Sequence, residues 1–329
     1  MFLTLPIIPE NTSTGTIVAD IVRFRGDENL IDNNYLCQYI NSPECKAQIL
    51  KYSKGTTRPR INLTSIKQLL IPLPSLPEQT RIASILDIAD TLRQKRRHTI
   101  HLLDDLLQSV FLELFGDPMV NPQNWPIQSI EEIAANEKSS IKAGPFGSSL
   151  KKEFYVPSGY KIYGQEQVIR DNLSYGDYFI DENLYNELIA YKVKAGDILI
   201  SLVGTFGKVS IVPNNFEQGI INPRLMKITL DREIIHPLYF KYVLTSNNVI
   251  KQIVSLSHGG TMGIINLKIV KRVVLPVPPI VLQRSFVQYV NDVIKVRKKI
   301  LRSSKKFDYL FRSLQQRAFK GELNNDVTN

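Results

Sequence analysis

The sequence predicts an α+β protein built from two unequal copies of one unit. Each copy ends in a long helix, and the two helices pair as an antiparallel coiled coil. Three observations carry this. The stretch GTTRPRINLTSIKQLLIPLPSLPEQ (55–79) recurs as GGTMGIINLKIVKRVVLPVPPIVLQ (259–283), at an offset of 204 residues. A heptad pattern follows each copy of that stretch. Between the two helices lie short alternating apolar runs separated by glycine turns, which read as strands.

The repeat holds in one frame, without a gap. Tyr35 meets Tyr239, Ser42 meets Ser246, Gln79 meets Gln283, Arg93 meets Arg297 and Phe115 meets Phe319. IIPEN (7–11) meets IVPNN (211–215). Residue 1 therefore corresponds to residue 205, and 118–204 has no earlier counterpart. The expectation is a complete second unit preceded by an incomplete first one.

Taken in order, residues 1–74 form the incomplete first unit. MFLTLPIIPE lacks the basic start and small-residue cleavage site of a signal peptide. The glycine turn KGTTRPR offers Lys54, Arg58 and Arg60 as phosphate contacts, whereas its counterpart HGGTMGI (258–264) has no charge beyond the histidine. The two units are therefore expected to bind different ligands on one frame.

Residues 75–117 form the first long helix, opened by the capping-box pattern Ser75-x-x-Glu78 and closed by Gly116-Asp117-Pro118. Positions 82, 86, 89, 93, 96, 100, 103, 107, 110 and 114 make its seam, and the same positions plus 204 make the seam of the second helix, 279–322. About 35 residues at 1.5 Å each span roughly 50 Å, or about 15 base pairs of DNA. Such a pair would hold two units apart as a ruler. An ordinary bundle helix is the alternative for each segment.

Residues 118–278 form the complete unit. NPQNWP (121–126) departs from the Asn-Pro-Pro-aromatic motif of adenine methyltransferases and reads as an interdomain turn around a buried Trp125. Strands are expected in YKVKAGDILISLVG, GKVSIVP and INPRLMKITL, and helix over 236–256. IVKRVVLPVPP (269–279) reads as extended. A short tail, 323–329, ends the sequence.

Composition narrows the function. Of the formal charge of +10, residues 279–329 carry +7, with 11 basic and 4 acidic groups. Cys37 and Cys45 lack metal or redox spacing, which fits a reduced, cytoplasmic chain, and no apolar run is long enough for a membrane helix. Phosphate loops, dinucleotide fingerprints, nucleophile elbows and HExxH are all missing, so the chain is not expected to be an enzyme or to bind a metal.

Binding features stand out instead. KAGPFGSSLKKEFY (142–155) combines close-approach glycines with Lys142, Ser148, Ser149, Lys151 and Lys152. In YGQEQV, Gln165 and Gln167 would share one face of an extended segment, suited to bidentate bonds with adenine. Lys208 and Arg224 flank further turns. Plain turns and a solvated strand face are the bland alternative.

These motifs together resemble the specificity subunit of type I restriction-modification systems. The resemblance rests on Gly55 to Leu63, on IPLPSLPEQ before a long helix, and on Phe146-Gly147-Ser148-Ser149-Leu150-Lys151-Lys152. It implies two target recognition domains, the first incomplete, joined by two antiparallel helices. Each domain would read one half of a split site in double-stranded DNA for defence against phage. The helices would recruit modification and restriction subunits, which carry S-adenosylmethionine, ATP and Mg. Arg93, Arg96, Arg297, Lys298, Lys299 and Arg302 are the expected partner-facing helix residues. Self-association through the complete unit would give a palindromic site. A coiled-coil scaffold, or an inactive remnant of a recombining locus, is the alternative.

Overall fold

The computed structural model describes residues 21–53, 61–202, 207–256 and 267–323. Helices α1 (Asn33–Ile40), α2 (Pro43–Tyr52) and α3 (Leu63–Ile66) precede the long α4 (Leu76–Phe115). Strands β1 (Ile127–Ser129), β2 (Ile141–Ala143) and β3 (Tyr160–Tyr163) lead to α5 (Gln165–Ile169), β4 (Phe179–Ile180) and α6 (Glu182–Glu187). Next come β5 (Ile198–Ser201), β6 (Val209–Ile211), β7 (Gly219–Ile221) and β8 (Leu225–Ile228). Helices α7 (Pro237–Leu244), α8 (Asn247–Leu256) and α9 (Leu267–Arg272), strand β9 (Val274–Pro276) and the long α10 (Ile280–Phe319) follow. The chain divides into two compact units, residues 1–104 with 295–329, and residues 105–294.

The repeat is written into the element boundaries. α1 and α7, α2 and α8, and α4 and α10 each start and end 204 residues apart, and α3 and α9 start 204 apart. The same frame is clamped by the same residue. Gln79 is fully buried; its amide donates to the Leu30 and Pro74 carbonyls at 3.0 and 2.8 Å and accepts from the Asp32 N–H at 2.9 Å. Gln283 repeats this with Ile234, Pro278 and His236, at 3.1, 2.7 and 2.8 Å.

Each unit builds its core from helices of both copies. In the first, Ile31, Tyr35, Tyr39 and Ile40 pack with Ile82 and Leu86 of α4 and with Phe311, Ala318 and Phe319 of α10. The Tyr35 and Tyr39 rings meet Phe319 edge-on at 5.6 and 5.0 Å. In the second, Tyr239 meets Phe115 of α4 at 4.8 Å, and Phe111 and Phe115 pack against Phe286 of α10. The hydroxyls of Tyr35 and Tyr239 donate to the carbonyls of Pro72 and Pro276, both at 3.0 Å. Burial pushes the Tyr35 phenol up to about 12 and raises that of Tyr239 as well.

Within each unit the two long helices run antiparallel. In the first, Arg81 donates to the Leu323 carbonyl, Arg93 pairs with Asp308 and Arg297 pairs with Asp104. Every expected seam position, from Ile82 to Leu114 and from Phe286 to Ala318, is buried or half-buried. Gly116 closes α4 at φ +75° and Gly321 follows α10 at φ +74°, conformations that glycine adopts without a Cβ clash. Glu78 forms a two-pronged pair with Arg81 at 2.7 Å.

The unit 105–294 holds the sheets. Four antiparallel strands run in the order β2-β8-β5-β6, three in the order β4-β3-β7 with β3 and β7 parallel, and β1 pairs with β9. β5 is buried on both faces. Ile198 and Ile200 join the core under α7, α8 and α10, while Leu199 joins Tyr163, Val212, Ile221 and Leu225 on the other side.

Three local expectations are corrected. Residues 165–169 form helix α5 rather than an extended segment, because the Gln167 side chain folds back to accept the Gly164 N–H at 3.0 Å. Residues 269–272 belong to α9, so only 274–276 of the proline-ended run is strand. Trp125 is half-buried, not buried, in a turn tied by Asn121, whose amide donates to the Trp125 carbonyl and accepts its N–H. No helix among the described residues is long and apolar enough to cross a membrane.

Candidate nucleic-acid interface

The antiparallel order β2-β8-β5-β6 places the end of β2, the start of β8, the end of β5 and the start of β6 at one edge. The parallel pair β3-β7 also ends there, since the Asn222 N–H after β7 donates to the Tyr163 carbonyl at 2.8 Å. Loops far apart in sequence converge at this edge.

Gly144 opens the loop after β2. Its N–H bonds the Leu225 carbonyl at 2.8 Å, and a Cβ there would lie 1.9 Å from the Asn222 carbonyl oxygen. A side chain at 144 would therefore push this loop off the Asn222-Pro223-Arg224 turn. The Arg224 carbonyl accepts from Leu202 at 3.0 Å, and the Lys208 carbonyl accepts from Ser201 at 3.1 Å. Gln165 donates to the Ser201 hydroxyl at 2.8 Å. These bonds draw 144–152, 163–165, 201–202, 207–208 and 222–224 into one surface.

Most of the expected contact residues lie on that surface. Ser148 and Ser149 sit in an exposed 3-10 turn (Gly147–Ser149), and Lys152 opens a second (Lys152–Phe154). Lys151 is exposed and pairs loosely with Glu153 at 3.2 Å. Lys208 and Arg224 are exposed. Lys142 is set back on β2, its ammonium 5.1 Å above the Tyr191 ring. Gln167 is different: it is 2% exposed, and its amide is committed to Gly164 and to the Ile162 carbonyl. Its role is to shape the loop rather than to touch a base. Lys54, Arg58 and Arg60 lie outside the described residues, as does the HGGTMG stretch.

Of three further residues of this edge, sequence reasoning named Phe146 only as part of the loop motif and did not single out Asn222 or Ser201. Phe146 is 85% exposed at the loop tip. Asn222 and Ser201 are brought in only by the strand order. A lone aromatic between proline and glycine was the available signal for Phe146.

Behind the surface lie buried ions. Lys227 and Asp197 are both nearly inaccessible and 3.7 Å apart, and Asp197 also accepts from the Thr229 hydroxyl at 2.6 Å and the Lys194 N–H at 2.8 Å. Burial raises the Asp197 carboxyl and lowers the Lys227 ammonium, each opposed by the charge of the other. Lys161, 1% exposed, reaches Glu217 at 2.5 Å. These lysines hold strands together and do not face a ligand.

On the helices, Arg93 and Arg96 turn inward because they occupy seam positions, contrary to the partner-facing expectation. Arg93 is 17% exposed, pairs with Asp90 and Asp308, and lies 4.2 Å over the Phe311 ring. Arg96 donates to Ser303 at 2.5 Å and stacks over Phe307. Arg297, half-exposed, pairs with Asp104 at 2.8 Å. Lys298, Lys299 and Arg302 face solvent.

Comparison with known proteins is consistent with this arrangement. A family model described as the type I restriction modification DNA specificity domain matches residues 16–102 and 122–306. The MjaVIII specificity subunit of Methanocaldococcus jannaschii, a type I restriction enzyme subunit, is 22% identical over 311 residues, covering 87% of this chain and 69% of the relative. The EcoBI specificity subunit of Escherichia coli is 23% identical over 306 residues, covering 82% and 62%. The chain thus spans about two thirds of the length of these relatives. A solved chain from work on complex assembly and conformational transition of the type I R-M system superposes with a TM-score of 0.63 at 19% identity, covering 91% of this chain and 74% of that one. The S subunit from M. genitalium gives 0.51 at 16% identity, covering 89% and 74%.

Proposed function

The chain belongs to the type I restriction modification DNA specificity family, and from that premise we propose that it selects the DNA sequence on which a restriction-modification complex acts, without catalysing a reaction itself. The observation that carries the reading is the convergence of 144–152, 163–165, 201–202, 207–208 and 222–224 on one sheet edge. Its exposed Lys151, Lys152, Lys208 and Arg224 suit phosphates, which fix register, while Gln165, Asn222 and Phe146 suit base edges and base faces. An Arg or Lys on phosphate adds affinity at any sequence, whereas amide groups and an aromatic at a loop tip discriminate.

The finer proposal concerns partners. Lys298, Lys299 and Arg302 form an exposed basic face of α10 that suits an acidic surface of a modification subunit. The methyl donor S-adenosylmethionine, and the ATP and Mg of a restriction subunit, would belong to those partners. The bases read, and whether two half-sites are read by one chain or by paired copies, are set by the target motif.

The test is co-expression with the neighbouring modification subunit and mapping of adenine methylation by long-read sequencing. A split motif that changes on replacing Gln165 or Phe146 supports the reading. Absence of methylation from a soluble, assembled complex overturns it in favour of a scaffold.

A further inference from the structure

Away from the loop edge, the unit 105–294 contains an open cleft of about 590 Å³ between the end of β6, the start of α7 and the first turns of α10. Its walls carry Arg232, His236 and Arg284, with Asn214 and Asn291 as neutral polar neighbours and Glu233 as the one carboxylate among the described residues. Arg284 makes no ion pair among the described residues. Arg232 is held in place: it donates to the Ala195 carbonyl and its Nη2 end abuts Gly196, where a Cβ would come within 2.0 Å of Nη2. Gly196 has φ +83°, so glycine serves both the turn and the close guanidinium.

His236 caps α7 with Nδ1, which accepts the Leu238 N–H at 3.1 Å. That bond occupies the helix end and leaves the ring proton on Nε2 as a donor. Burial first, then Arg284 and Arg232, lower its pKa, so the cleft acts on it as a positive field despite Glu233.

The first unit supplies an internal control. The Gln79 and Gln283 clamps impose the same backbone frame, yet the residues 204 positions before Arg232, His236 and Arg284 are Glu28, Asp32 and Thr80. One frame thus carries two acids and a threonine in one copy, and two arginines and a histidine in the other. Packing and capping do not require the change, because Asp32 caps α1 as well as His236 caps α7.

We propose that the cleft lined by Arg232, His236 and Arg284 binds a phosphate group. Two guanidinium groups in a concave site match phosphate oxygens through paired N–H donors, and a neutral imidazole adds a third donor. The phosphate comes either from a free phosphoanion or from a DNA backbone running past this face. The site is separate from the loop edge and does not depend on base reading there.

The test titrates inorganic phosphate, and separately a short DNA duplex, into the full chain while following the His236 ring resonance by NMR, assigned with His236→Asn. A bound phosphate raises the His236 pKa, and Arg284→Gln weakens binding by about 10-fold or more through loss of one charge-assisted contact. Arg284 is exposed and unpaired, so that variant folds; Arg232→Gln serves as the second. A response to phosphate alone assigns a small-anion site, and a response to duplex alone assigns a backbone contact. No response to either, or equal binding by Arg284→Gln, overturns the proposal.

Discussion

Gln79 and Gln283, 204 residues apart, make the same three hydrogen bonds to the backbone of their respective units. Each ties the N-terminus of its long helix to the loop before a short helix, with both ends of one buried amide. Replacing Gln283 by Ala leaves one N–H and two carbonyls of a buried junction without partners. The expected loss is about 2–4 kcal/mol, read as a shift of the urea midpoint. Gln283→Glu keeps the acceptor but not the donor and loses most of the same stability.

Arg93 and Asp308 bridge α4 and α10, with Phe311 beneath the guanidinium. A double-mutant cycle with Arg93→Ala and Asp308→Ala should return a coupling of about 1 kcal/mol, at the upper end for a partly exposed pair. Arg93→Lys should not restore it, because an ammonium cannot both stack and bond Asp90 and Asp308 in one plane. A coupling near zero would place the stabilisation in the seam packing alone.

Gln165 and Gln167 stand two residues apart with opposite consequences. Gln167→Ala removes a buried amide bonded to Gly164 and Ile162 and should cost about 1–3 kcal/mol in thermal unfolding. Gln165→Ala and Phe146→Ala should leave stability nearly unchanged while altering the methylated motif or reducing DNA affinity, measured by methylation mapping and by fluorescence anisotropy.

His236 should make the unit 105–294 acid-sensitive. Its pKa is lowered in the folded state, by burial and by Arg284 and Arg232, with Glu233 the opposing group in the cleft. Its contribution is therefore complete above the unfolded value of about 6.5 and is lost as pH falls through the depressed folded value. Urea melts between pH 7 and pH 5 should show this loss, and His236→Asn, a neutral cap, should remove that part of the slope.

The buried pair Asp197–Lys227 should behave asymmetrically. Lys227→Met alone strands a carboxylate and should cost about 3–5 kcal/mol, whereas Lys227→Met with Asp197→Asn should recover most of it. Chemical denaturation of the unsubstituted chain and the two variants distinguishes this from simple loss of an attractive pair, which predicts no recovery.

The repeat and the helix seam could be read from the sequence because both are periodic: ten seam positions and a single offset leave little room for another register. Strands β5, β6 and β8 were visible for the same reason, as apolar runs bounded by Gly196, Gly207 and Pro223. Helix α5 was missed because five residues are too short for a helical period, and Gln-Glu-Gln imitates the alternation of a strand. The Gln at the third helical position, reaching back to a glycine N–H, was the overlooked signal. Arg93 and Arg96 were misplaced because their charge outweighed their seam position in the reading, though a long arginine can lie in a helix interface when it stacks on Phe311 or Phe307. The gathering of Ser201, Asn222 and Gly144 depends on strand order, which local patterns do not encode.

The exchange of aromatic ends, Phe319 onto Tyr35 and Phe115 onto Tyr239, also sets an order of events during synthesis. The unit 105–294 is contiguous and can close as soon as its last residues leave the ribosome. The unit formed by 1–104 and 295–329 cannot. Its helices α1, α2 and α4 emerge first with Tyr35, Tyr39, Ile82 and Leu86 uncovered, and wait for Phe311 and Phe319 until 105–294 has been made. The earlier unit is thus the last to mature, and ribosome-bound chains stalled so that residue 294 has left the ribosome but Phe311 and Phe319 have not should be cut by protease between Tyr35 and Leu86 while the later unit resists.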